Sequence, residues 1–126
     1  MSTGSFWGDL SNLEEVKTPA SHLREQAEVL TRETKGLLVG HVHQEPQGDQ
    51  ISVGLDIVVP ALGDYRWNVV RVLYPLAIYP LDVQESQTYE WQKCPDEAAF
   101  LATLKAILSS PKVRKAIATL LAQSKI

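Results

Sequence analysis

The chain has 126 residues, a formal net charge of −3, 44% hydrophobic and 21% charged side chains. That is the balance of one soluble domain of residues 1–126 with an ordinary core, and no apolar run nears the roughly 18 residues of a membrane span. An acidic balance disfavours general nucleic-acid binding, which works by neutralising phosphates, and a lone Cys94 excludes an internal disulfide and any cysteine-rich zinc site.

The first residues, MSTGSFWGDL, are polar and lack both an early basic patch and an apolar core segment, so they do not read as a secretory signal. A cytoplasmic protein, bacterial in style, is expected. Residues 1–17 have no clean period. Phe6, Trp7, Leu10 and Leu13 are interrupted by Gly4, Gly8 and Ser11, with a short helical turn expected around Asp9–Glu15. Two aromatics so near a terminus mark an arm that packs on something, either its own core or a partner subunit.

Thr18-Pro19 starts a helix over residues 18–36: threonine caps an orphan N–H, and proline at the first helical position loses nothing. Ala20, Leu23, Ala27 and Leu30 form its apolar stripe, and Gly36 closes it. The period then changes from 3.6 to 2, which predicts a sheet over residues 37–93. Leu37–Gln44 is the first strand, EPQGD the turn, and Ile51–Val59 the second strand, with Ile51, Val53, Leu55, Ile57 and Val59 on one face. Tyr65–Tyr74 is the third. Leu76–Val83 carries Pro80, so it is expected as an edge strand or extended segment, and Thr88–Lys93 as a short last strand.

Two helices fill residues 95–124. Asp96 and Glu97 suit the positive end of the first, and Ser110-Pro111 repeats the cap-plus-proline start in the second. Strands in one run joined by short turns imply an antiparallel meander, here of three to five strands. With one helix before it and two after, the class is α+β, the two C-terminal helices packed on one sheet face. Residues 101–126 carry Lys105, Lys112, Arg114, Lys115 and Lys125 and no acid, so that segment is +5 and residues 1–100 are −8.

His41 and His43 are two apart on a strand and so share a face. If the first hairpin turns about Gln47-Gly48, Val42 lies opposite Val53 and Leu38 opposite Ile57, which matches apolar with apolar. His43 then faces Ser52, His41 faces Gly54, and Asp56 lies diagonally from His41. Two imidazoles and a carboxylate within reach of one ion could bind a divalent metal, with Gly54 leaving room above the sheet. The same pattern also describes a strand running out into water. Nothing ties His22 to this pair. There is no GxSxG, no phosphate-binding glycine loop and no paired carboxylates, and Cys94 reads as structural.

Tyr65, Trp67, Arg71, Tyr74, Tyr79 and Trp91 are of the residue types that anchor interfaces. They could also stack on bases, although the basic surface and βαββαβ order of common sheet-based RNA readers are absent. In size, charge and element order the chain resembles small acidic bacterial partner-binding proteins, such as toxin-immunity proteins and secretion chaperones; no motif carries the likeness. The sequence therefore leads to a non-enzymatic protein-interaction module: an inhibitor, an immunity-like or chaperone-like protein, or an accessory subunit, binding a protein partner or itself. No cofactor is expected. The alternatives are a metal-binding protein or metal-dependent enzyme using His41, His43 and Asp56, and a small-ligand or nucleic-acid binder whose pocket is lined by Trp67, Arg71 and Tyr74.

Overall fold

The structure, a computed structural model, describes residues 4–125; the first three residues of the expected arm lie outside that range. Among the described residues of the arm, helix is limited to a 3-10 turn at Leu10–Asn12. Helix α1 spans Pro19–Glu33, and the Thr18 hydroxyl accepts from Ser21 N at 3.2 Å, as a cap should. The strands are β1 (Val39–Gln47), β2 (Gln50–Val59), β3 (Tyr65–Pro75), β4 (Leu81–Glu85) and β5 (Trp91–Cys94). They form one antiparallel sheet in chain order. Helix α2 spans Glu97–Leu108, capped by the Asp96 carboxylate on Ala99 N at 2.8 Å, and α3 spans Pro111–Ser124, capped by Ser110. The α+β meander with its C-terminal helices on the sheet is thus the architecture of the protein.

Helices and sheet meet over one face. Ile51, Val53, Leu55, Ile57 and Val59 of β2 point towards the helices, with Val70, Val72 and Tyr74 of β3 and Leu81 and Val83 of β4 beside them. Leu23 and Ala27 of α1, Phe100 and Leu104 of α2, and Val113 and Leu120 of α3 close the core.

Helix α1 is fastened along the outer edge strand. The Thr31 hydroxyl accepts from Gly40 N at 3.0 Å, and the Thr34 hydroxyl accepts from Leu38 N at 3.2 Å. Backbone N–H groups that an edge strand would otherwise leave unpaired are thereby satisfied from the helix. Lys35 and Gly36 are both left-handed, with φ of 53° and 80°, and reverse the chain between helix and strand.

Two expectations change, and a third feature is new. The first hairpin turns at Gly48-Asp49, Gly48 at φ 64°, so β1 runs on through Pro46 to Gln47. The pairing slides by two residues: Val42 faces Leu55 and Gln44 faces Val53. A slide of two preserves every side-chain face, which is why the apolar pattern accommodated both registers. Second, Pro80 lies in the loop before β4, so β4 starts at Leu81 and can sit between β3 and β5. Third, Val69 is an extra residue on β3: Leu55 pairs with Val70, whereas Asp56 pairs with Asn68. Val69 and Val70 are both buried at this bulge.

Tyr79, in the β3–β4 loop, packs against the core with its hydroxyl buried and lacking a hydrogen-bond partner among the described residues. Burial pushes its pKa up to about 12, helped by Glu97, Cys94 and Asp96 nearby. A phenol with a raised folded-state pKa ionises first in the unfolded chain. Its contribution therefore falls as pH rises from about 10 to about 12. Tyr79→Phe is expected to match or exceed the parent in stability at pH 7, because an unpaired buried hydroxyl is removed. It should also lose stability less steeply in that alkaline window. Urea unfolding at pH 7 and across that window measures both; a variant destabilised by more than about 1 kcal/mol at pH 7 would contradict the unpaired hydroxyl.

Candidate functional site

The β3 bulge determines which side chains gather on the sheet face turned away from the helices. Before it, Arg66 and Asn68 point to that open face; after it, Arg71 and Leu73 do. Strict alternation would have put Arg71 on the face opposite Arg66. The bulge brings both guanidiniums to the side that holds His41, His43 and Asp56.

Asp56 is the centre of this group. It is 8% exposed. It accepts from Asn68 Nδ2 at 2.7 Å, and its Oδ2 lies 3.3 Å from His43 Nε2 and 3.8 Å from Arg66 Nη1. Asn68 in turn accepts from the Ser86 hydroxyl at the end of β4. A buried carboxylate needs this number of partners, because desolvation without them costs several kcal/mol. The polar chain thus runs His43, Asp56, Asn68, Ser86. Ser86 bonds to the asparagine and not to an imidazole, so these groups do not form a nucleophile with its base.

The expected space above Gly54 is occupied by His43. The two residues face each other across β1 and β2, and the imidazole lies over the glycine, where a Cβ would strike its Cε1 and Nε2. Gly54 thus lets the ring lie flat towards Asp56. Gly54→Ala is expected to lift the ring off the carboxylate while costing only about 1 kcal/mol, since a half-exposed side chain can swing away. The His43 ring resonances in a proton–carbon NMR spectrum report this; unchanged resonances would show that the ring does not rest there.

His41 faces Asp56 directly in the register rather than diagonally, yet its ring stacks beside His43 with centroids 6.3 Å apart. Among the described residues no group of three His, Cys, Asp or Glu side chains is placed to hold a metal ion. None of the cavities described contains His43 or Asp56. His41 lines a cavity beside α1, and His43, Asp56, Asn68 and Ser86 chiefly satisfy one another.

The six aromatic and arginine candidates are dispersed. Tyr74 is in the core and Tyr79 packs against it. Arg71 and Trp91 are exposed on the open face, either side of Gln84 in one row across the sheet. Tyr65 and Trp67 point to the helix side, where Trp67 packs against the core and Tyr65 is half exposed. Trp67, Arg71 and Tyr74 therefore share no pocket. His22 is structural: it is buried, with Nε2 3.0 Å from Glu97 Oε2 and its ring edge-on to Phe100, and it ties α1 to α2.

Two features stand out that the sequence pattern did not assemble. One is a groove of about 580 Å³ between α3 and the start of β3, lined by Leu62, Tyr65, Trp67, Ala116 and Leu120 with Lys112 and Lys115 among its polar groups. The other is the arm. Phe6 is 94% and Trp7 81% exposed, and Leu10, Leu13 and Val16 are exposed as well. Isolated exposed apolar residues are ordinary, but five within eleven positions make a patch. The Val69-Val70 doublet between Asn68 and Arg71 was the available signal for the bulge, because it breaks the alternation.

The chain matches no protein-family model, no curated protein and no solved structure. Among the described residues no helix is long and apolar enough to cross a membrane.

Proposed function

We propose that this is a small acidic, cytoplasmic, non-enzymatic interaction module of bacterial type that binds a protein through its N-terminal arm. The observation that carries the reading is the arm itself. Phe6, Trp7, Leu10, Leu13 and Val16 are held out from a body whose core is filled without them. Phe and Trp bury about 150–250 Å² each when covered, worth roughly 25 cal/mol per Å². Leaving both in water forgoes several kcal/mol that a partner surface recovers. The polar cluster on the open face supports the same reading, because its side chains are engaged with one another.

Photo-crosslinking in the source cells tests this. With benzoylphenylalanine in place of Trp7, a discrete protein adduct is expected; the same probe at exposed Glu28 of α1 should give none. No adduct at position 7, or equal labelling at both positions, overturns the reading.

A further inference from the structure

We propose that the groove between α3 and β3 receives the N-terminal arm of a second copy of this chain, so that two copies exchange arms. This rests on the arm being the interaction element and names its partner. The two surfaces match in chemistry. The groove has an apolar floor of Leu62, Trp67, Ala116 and Leu120, with Lys112 and Lys115 beside it. Helix α3 carries no acidic residue. The arm has the opposite character: Phe6, Trp7, Leu10, Leu13 and Val16 alternate with Asp9, Glu14 and Glu15, and residues 4–16 contain no base. Lys17, the first cation, is held by Glu25 at 2.7 Å. An acidic apolar segment and a basic apolar groove on one chain suit an isologous dimer, in which each copy gives one arm and receives one.

Chain direction favours exchange over a return to the same body. Helix α1 runs antiparallel to β1, so the arm leaves it at the end of the sheet where β1 turns into β2. Arg24 bonding to Gln44 at 3.4 Å marks that end. The groove lies at the opposite end, beside the 3-10 turn Pro60–Leu62 that joins β2 to β3. The 15 residues of α1 separate the two ends by about 22 Å. Crossing that distance would use about seven residues of the arm, laying Leu13 and Val16 over α1 and leaving only Phe6, Trp7 and Leu10 for the groove. The area also suffices. Four aromatic side chains from two arms cover roughly 600–1,000 Å². The aliphatic residues and the groove walls bring the total into the range of about 1,200–2,000 Å² of stable interfaces.

Sedimentation velocity and light scattering on the purified full chain are the test. The expected mass is twice the 14.0 kDa of one chain. Phe6→Ser/Trp7→Ser and, separately, Ala116→Glu should each give monomer with an unchanged circular dichroism spectrum. Lys112→Glu/Lys115→Glu should weaken the dimer about tenfold or more, and Glu14→Lys/Glu15→Lys added to it should recover part of the loss. A parent that stays monomeric at high concentration overturns the proposal. So does a dimer that survives the arm substitutions, or one broken by the arm substitutions but indifferent to Ala116→Glu. A monomeric parent whose position 7 still crosslinks to a different protein leaves the interaction reading standing and removes only the second copy as the partner.

Discussion

Gly40→Ala is expected to destabilise the protein by about 3 kcal/mol or more, a large share of the roughly 5–15 kcal/mol that holds a domain of this size together. A Cβ at Gly40 would fall on Ala27 Cα and come within 2.6 Å of its Cβ and carbonyl oxygen. The obstacle is helix backbone, which cannot rotate away, so α1 would have to lift off β1. Lifting it also breaks the Thr31 hydroxyl's bond to Gly40 N, worth about 1 kcal/mol. Adding Ala27→Gly should not rescue the variant, because Cα and the carbonyl remain and glycine costs the helix about 1 kcal/mol more. Urea unfolding of the two variants measures this. A loss below about 1 kcal/mol for Gly40→Ala would show that the helix and strand are not in this contact. Gly54→Ala makes the contrast: there the obstacle is an imidazole, and the cost is displaced into a moved side chain.

Phe100→Ala is expected to cost about 3–5 kcal/mol. Its ring is wholly buried, it lies one turn into α2, and it joins the core shared by α2 and the sheet. It also meets the His22 ring edge-on, with centroids 6.0 Å apart at 69°. That contact and the His22–Glu97 pair at 3.0 Å link α1 to α2. The loss should therefore be non-additive with His22→Ala, with a coupling of about 0.5–1.5 kcal/mol in a double-mutant cycle followed by thermal or urea unfolding. Strict additivity would place the two side chains in separate parts of the core.

Much of the candidate site depended on a single residue. Sequence alternation put His41, His43 and Asp56 on one face, and the structure keeps them there. Arg66, Asn68 and Ser86 joined Asp56 only through the bulge at Val69 and the β3–β4 pairing. A period-2 reading of YRWNVVRVLY assigns Arg66 and Arg71 to opposite faces, and one inserted residue cancels that assignment. The same bulge moved Arg71 off the face of Tyr65 and Trp67 and brought Tyr74 onto it. Tyr65, Trp67, Arg71 and Tyr74 straddle the bulge, and Tyr79 and Trp91 belong to other segments.

The sequence by itself determined what local chemistry controls. Thr18-Pro19, Asp96 and Ser110-Pro111 start three helices, because a capping oxygen satisfies an orphan N–H within three residues of itself. The alternation of Ile51 to Val59 determined which face of β2 turns to the helices. Short turns made the meander antiparallel. The tertiary structure decided what depends on groups far apart in the chain. It chose between two hairpin registers that bury the same faces, placed β4 inside the sheet, and let the His43 ring fill the space over Gly54. It also built a basic apolar groove from α3 and β3 and left the arm outside. No residue in the arm encodes that last outcome. It follows from a core that closes over the sheet without Phe6 and Trp7.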